Sequence, residues 1–111
     1  QAITVEANAT ALNGQAAGVT YTVTNGILTL GGAGASAVDT LGEWLTEAAA
    51  VAATDGDILA FQFGSDTYVF GQNGAQDVLV KLVGVTGAAA LAEGAAASTG
   101  LANTIWYNDI A

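Results

Sequence analysis

The chain has 111 residues and a mass of 10.9 kDa, the size of one compact domain, and its 52% hydrophobic share includes 25 alanines, so a core must come from ten Val, ten Leu, five Ile and eight aromatics. Ten acids against the single base Lys81 give a net charge of −9, which argues against nucleic acid as a ligand, because phosphate contacts need Lys and Arg. With no His, Cys or Met, cysteine nucleophiles, Ser/His triads, thiolate or imidazole zinc sites, haem ligation and disulfides are excluded within this chain.

The first half reads as strands with one wet face. Ile3, Val5 and Ala7 alternate with Thr4 and Glu6, and Val19, Tyr21 and Val23 alternate with Thr20, Thr22 and Thr24, the period of a half-buried strand. Asn25-Gly26 follows directly, then the apolar run 27–30. An Asn-Gly pair between two such runs predicts a hairpin, because both turn residues must take positive φ.

Residues 31–35 form a Gly/Ala hinge, after which Ser36 with Asp39, or Thr40 with Glu43, gives the spacing of a capping box. Val38, Leu41, Leu45, Ala48 and Ala52 then recur at helical spacing, with Asp39, Thr40, Glu43 and Glu47 on the other side. One amphipathic helix over about 37–53 is predicted, its early carboxylates suited to the positive end of the helix dipole.

Beyond Asp57, the runs 58–63, 67–70 and 78–85 are apolar on both faces and separated by turn residues, the pattern of central, doubly covered strands. Leu59, Phe61 and Phe63 share a face, as do Tyr68 and Phe70, while Lys81 shares a face with Leu79 and Val83 and argues that its far side is only partly covered. Residues 86–99 are Ala/Gly-rich around Leu91 and Glu93 and read as a short helix or an irregular cover; 101–107 offers a last strand ending in Trp106 and Tyr107. The segment running from Thr20-Tyr21 to Asn25-Gly26 is echoed from Thr67-Tyr68 to Asn73-Gly74, as a strand–strand–helix duplication would leave it. The expectation is a single mainly β (α+β) domain over 1–111: an antiparallel sheet or sandwich of about five to seven strands, with one clear helix packed on it and a second short helix as the alternative over 86–99.

No run of about 18 residues is both uncharged and built from large apolar side chains, so a membrane span is not expected. Without an initiator Met or a basic stretch before an apolar one, Gln1 reads either as a processed N-terminus or as a cut inside a longer protein.

The block Asp57-Ile58-Leu59-Ala60-Phe61-Gln62-Phe63-Gly64-Ser65-Asp66-Thr67-Tyr68-Val69-Phe70, followed by Asp77-Val78-Leu79-Val80-Lys81-Leu82-Val83-Gly84-Val85, resembles the C-terminal region of bacterial type I secreted proteins, including crystalline surface-layer and RTX-type repeat proteins. The resemblance covers residues 55–86, and its most specific pieces are 61–69 and Lys81-Leu82-x-Gly84. It implies a domain outside a Gram-negative cell, exported without a cleaved N-terminal signal and carried near the C-terminus of its polypeptide. The tail Asn108-Asp109-Ile110-Ala111 is similar to the ends of some type I substrates. The family's calcium nonapeptide, G-G-x-G-x-D, is matched by Gly31-Gly32-Ala33-Gly34-Ala35 until Ser36 stands where the acid belongs, a departure that puts a calcium β-roll here in doubt.

Calcium suits the donors present, since hard oxygen is the only kind of metal ligand the chain owns, and Asp55 and Asp57 bracket Gly56 beside a turn; the competing reading makes both solvated turn and strand-start residues. Glu43 and Glu47 are helix neighbours on a polar face, where a solvated surface outweighs a catalytic acid pair. Lys81 reads as a solvated lysine guarding a strand rather than a nucleophile. Trp44, Trp106 and Tyr107 would suit a sugar-stacking platform but are more often core or interface anchors, and Asn8-Ala9-Thr10 matches a glycosylation sequon of frequent chance occurrence.

Abundant Ala, Gly, Thr and Val, no Pro and one Lys leave little to oppose strand-edge pairing between copies. The expectation is a non-enzymatic, secreted structural domain that self-assembles into an extracellular layer or filament, more readily with calcium, with Leu79, Lys81, Val83, Trp106 and Tyr107 at the interface. Two alternatives stand beside it: a C-terminal secretion and folding module of an extracellular hydrolase, and a carbohydrate-binding module that would take cell-surface polysaccharide.

Overall fold

A computed structural model describes residues 3–93 and 103–107. The chain runs β1 (Thr4–Val5), β2 (Ala9–Asn13), β3 (Thr20–Thr24), β4 (Ile27–Gly31), α1 (Leu41–Val51), β5 (Asp57–Phe63), β6 (Asp66–Gly71), β7 (Val78–Leu82), β8 (Ala90–Glu93) and β9 (Thr104–Tyr107). The predicted mainly β fold with one α-helix is what these elements form. Seven strands make one sheet in the order β2-β3-β4-β5-β6-β7 with β1 on β5, and β8 and β9 pair parallel in a second, small sheet. The main sheet is mixed: antiparallel from β2 to β4 and from β5 to β7, parallel where β4 and β1 meet β5. The parallel join of β4 to β5 follows from α1, which carries the chain from the end of β4 back to the start of β5 as a crossover.

The Asn-Gly hairpin forms as predicted. Asn25 and Gly26 take φ of 50° and 81°, and β3 and β4 pair from Thr24↔Ile27 to Thr20↔Gly31. Gly26 is also fixed by its surroundings, since a Cβ there would lie 2.6 Å from Val5 Cγ1 and 3.1 Å from Leu91 Cβ.

Of the two capping-box candidates, Thr40 with Glu43 starts the helix: the Glu43 N–H donates to Thr40 Oγ1 and the Thr40 N–H donates to Glu43 Oε1. The helix is therefore shorter than the predicted 37–53, and Ala35–Ala37 is a separate 3-10 turn. Its apolar stripe covers one face of the sheet: Ala48 and Ala52 pack with Val23, Leu28, Leu59, Phe61, Tyr68 and Phe70 in the buried core. Trp44, Phe61 and Tyr68 stack in sequence, with centroids 5.1 and 5.6 Å apart, a geometry that adds to their area burial.

The Gly31–Ala35 hinge is a site of close approach. A Cβ on Gly34 would stand 2.0 Å from Ala17 O, and the Gly34 N–H donates to Gly18 O at 2.9 Å, so these glycines serve a contact between backbones. Over 86–99, residues Ala90–Glu93 form strand β8 rather than the alternative short helix, and 94–99 lie outside the described residues, as does the 108–111 tail. Following Gly74, the described chain runs through β7 and β8 with no helix matching α1.

Candidate functional site

Of the three strands expected to be central and doubly covered, β5 and β6 are central and buried on the α1 side but covered only in part on the other, and β7 is neither central nor covered. Leu59, Ala60, Phe61, Tyr68 and Phe70 are buried, whereas Val78, Leu79 and Val80 are 51%, 41% and 46% exposed. The physical reason is strand order. β7 ends the sheet, pairing with β6 from Val78↔Gly71 to Leu82↔Thr67, and no other described strand takes its outer edge. A run that is apolar on both faces looks alike in a covered strand and in a bare one.

The loop before β7 is held by carboxylates. Asp77 Oδ1 accepts the Asn73 N–H at 3.1 Å, and Asp55 Oδ1 accepts the Gly74 N–H at 2.7 Å, tying this loop to the turn before β5. Asp57 Oδ2 accepts the Thr54 N–H at 3.2 Å within that turn. The two predicted metal residues thus each hold a backbone amide. Among the described residues no group of three or more Asp, Glu, His or Cys side chains converges as a metal site would require.

Along the strand and the residue just before it, Asp77, Leu79 and Lys81 alternate with Val78 and Val80. The odd positions lie on the α1 side, as their partners Phe70 and Tyr68 show; the even positions lie on the opposite face with Val69. There a groove of about 320 Å³ opens, lined chiefly by Ile3, Ile58, Val69, Val78 and Val80. Lys81 is half exposed, its Nζ 3.6 Å from Asp66 Oδ2, and Asp66 Oδ1 accepts the Gly84 N–H at 2.8 Å; a solvated ion pair of this kind does nothing to activate the amine as a nucleophile. Val83, beyond the strand, is 78% exposed. Leu79, Lys81 and Val83 therefore do meet on one exposed margin. Trp106 and Tyr107 belong to β9 in the second sheet, and their side chains lie outside what is described.

Two acids behave otherwise than the sequence indicates. Glu47, expected on a solvated face, is 2% exposed, and its carboxylate accepts the N–H groups of Gln15 and Ala16 at 2.7 and 2.8 Å. Glu6 lies beside Asp57, brought there by the parallel pairing Thr4↔Asp57 and the Glu6 N–H bond to Ile58 O at 2.9 Å. Partial burial first, then the Asp57 charge and a hydrogen bond to its carboxylate, push the Glu6 carboxyl up to about 7. Glu43 is held below its ordinary value by the Thr40 hydroxyl and then the Asp39 N–H, as part of the helix cap.

Sequence reasoning found Leu79 and Lys81 but missed Val78 and Val80, which carry the groove, and Ile3, Ile58 and Val69, which complete it. The signal for the valines was their strict alternation with Leu79 and Lys81; nothing local places Ile3 beside Ile58, because the parallel pairs that bring them together, Thr4↔Asp57 and Val5↔Ile58, join distant parts of the chain. Trp44, one of the three platform aromatics, has a ring face committed to Phe61. Among the described residues, no helix is long and apolar enough to cross a membrane. Searches against protein-family models, curated proteins and solved structures find no match to this chain.

Proposed function

We propose that this chain is a non-enzymatic structural domain that associates with copies of itself, through the β7 margin and the groove behind it, into a layer or filament outside a bacterial cell. The observation that carries the reading is the exposure of Val78, Leu79 and Val80 on a strand whose outer edge has no neighbour among the described strands. Unpaired strand N–H and C=O groups flanked by apolar side chains form a template for another strand, and an apolar groove beside it adds area to be covered. The extracellular, Gram-negative setting rests on the residues 61–69 and Lys81-Leu82-x-Gly84 that resemble type I secreted surface proteins. The same residues support the second reading, a secretion and folding module at the end of an extracellular hydrolase.

The net charge of −9 opposes assembly by mutual repulsion, which salt screens and divalent cations neutralise. Light scattering on sized fractions and electron microscopy, over a range of protein concentration with and without calcium, test the reading. Growth of particle mass with concentration, enhanced by calcium, is expected. A monomer under every condition would overturn it.

A further inference from the structure

The five residues Asp77-Val78-Leu79-Val80-Lys81 are self-complementary when read against their own reverse. We infer that two copies join β7 to β7 antiparallel in the register that sets Leu79 opposite the partner's Leu79, Val78 opposite the partner's Val80, and Asp77 opposite the partner's Lys81. The inference deepens the assembly reading above and rests on it.

Three observations single out this partner and register. The strip carries one acid and the chain's one base in a molecule of net charge −9, so a twofold pairing here forms two opposite-charge contacts in a particle that otherwise repels its copy. Moving the centre to Val80 sets Lys81 against Leu79 and Asp77 against Val83; moving it to Val78 sets Lys81 against Ala75. A parallel in-register pairing opposes each charge to itself, which destabilises a strand pair. The other end of the sheet, β2, is Ala-Thr-Ala-Leu-Asn and would leave both charges without a complement.

The side-chain environment permits the contacts. Lys81 is half exposed and its intrachain partner Asp66 is distant at 3.6 Å. Asp77 is exposed and spends Oδ1 on the Asn73 N–H, leaving Oδ2 for the lysine. Val78 and Val80 lie on the groove face, so their cross-strand contacts run the two grooves together into one apolar surface, while the charge pairs stand on the α1 side.

Sedimentation equilibrium on four proteins tests the register: the natural sequence, Lys81→Asp, Asp77→Lys, and the double swap. Each single reversal should weaken the dimer by at least about tenfold, since it turns two attractive contacts into two repulsive ones, and the double swap should restore most of the loss. The Asn73 cap is lost equally in Asp77→Lys and in the double swap, and the Asp66 ion pair equally in Lys81→Asp and in the double swap, so a double swap that binds more tightly than both singles reads the intermolecular charge contact. As the chain has no cysteine, oxidation of a Leu79→Cys variant should also give a disulfide-linked dimer, whereas Val83→Cys, about 26 Å from its twin at about 3.3 Å per residue, should not. A natural chain that associates while the double swap stays as weak as the singles, with Leu79→Cys not cross-linking, overturns the register and leaves the assembly reading standing; a natural chain that never associates overturns both.

Discussion

The Glu47 carboxylate, on the inner side of α1, receives the amides of Gln15 and Ala16 from the turn between β2 and β3. These are charge-assisted hydrogen bonds within a packed seam, where a Cβ on Gly14 would come 2.6 Å from Glu47 Oε1. Replacing Glu47 by Ala removes both acceptors and strands two donors, at a cost of about 2–3 kcal/mol. For a domain of this size that lowers the melting temperature by roughly 8–15 °C, to be read by thermal denaturation. Glu47→Gln keeps one acceptor and turns an amide N–H₂ toward the other donor, so its loss should fall between the two proteins. On a helical wheel Glu47 sits with Glu43 and Asp39 and looks wet; only the return of the β2–β3 turn over that face makes it a tether.

At the scale of elements, β1 and β4 share one edge of β5. β1 takes Asp57 and Ile58 and β4 takes Ala60, with the Ala60 N–H donating to Gly26 O at 2.9 Å. The short β1 therefore brings Glu6 against Asp57, and the attachment is pH-dependent. The folded Glu6 carboxyl keeps its proton up to about pH 7, whereas the unfolded chain releases it near the ordinary value of 4.5. The folded state binds more protons between those values, so the contribution is full below 4.5 and is lost as pH rises through about 7. Because this carboxyl remains largely open to solvent, the loss is set at about 1 kcal/mol rather than at the full shift. Glu6→Gln should flatten the dependence and be more stable than the natural chain at about pH 8, as measured by urea denaturation across that range.

What was legible in the sequence divides along the same lines. The Asn25-Gly26 hairpin and the helix cap are local chemistry, fixed by φ requirements and by spacing within one turn; the hairpin forms as predicted, while spacing alone offered Ser36/Asp39 and Thr40/Glu43 alike and the structure takes the second. The buried face of Leu59, Phe61, Tyr68 and Phe70 followed from period-two patterning. Strand order did not, because β7 carries the same apolar alternation whether or not a neighbour covers it. The Glu6–Asp57 contact was invisible for a related reason: a parallel join between strands with three others and a helix between them leaves no turn signature.

For the molecule as a whole, the two ends of the sheet are unlike. β7 is apolar and carries one charge, and a twofold contact there closes on itself. An extended assembly therefore requires a second contact elsewhere, with β2 at the opposite end as the other strand margin. The C-terminal part packs on the sheet face away from α1: Thr67 Oγ1 donates to Val85 O at 2.7 Å, the Gly87 N–H to Gln62 Oε1 at 3.0 Å, and the Leu91 N–H to Asn25 O at 2.8 Å. Among the described residues that cover stops short of Ile58, Val69, Val78 and Val80, and the groove lies beyond it.

The brevity of β1 has a kinetic counterpart. Over the two pairs Thr4↔Asp57 and Val5↔Ile58, with the Thr4 N–H on Gly56 O and the Glu6 N–H on Ile58 O, β1 joins a β5 whose other side is zipped to β6 over six residue pairs. Deuterium should replace the Thr4 and Glu6 amide protons well before those at the centre of β5 and β6, through openings far smaller than global unfolding. The gap should widen in alkali beyond the intrinsic rise in exchange rate, because ionising Glu6 beside Asp57 pries the first strand away while the meander behind it stays shut.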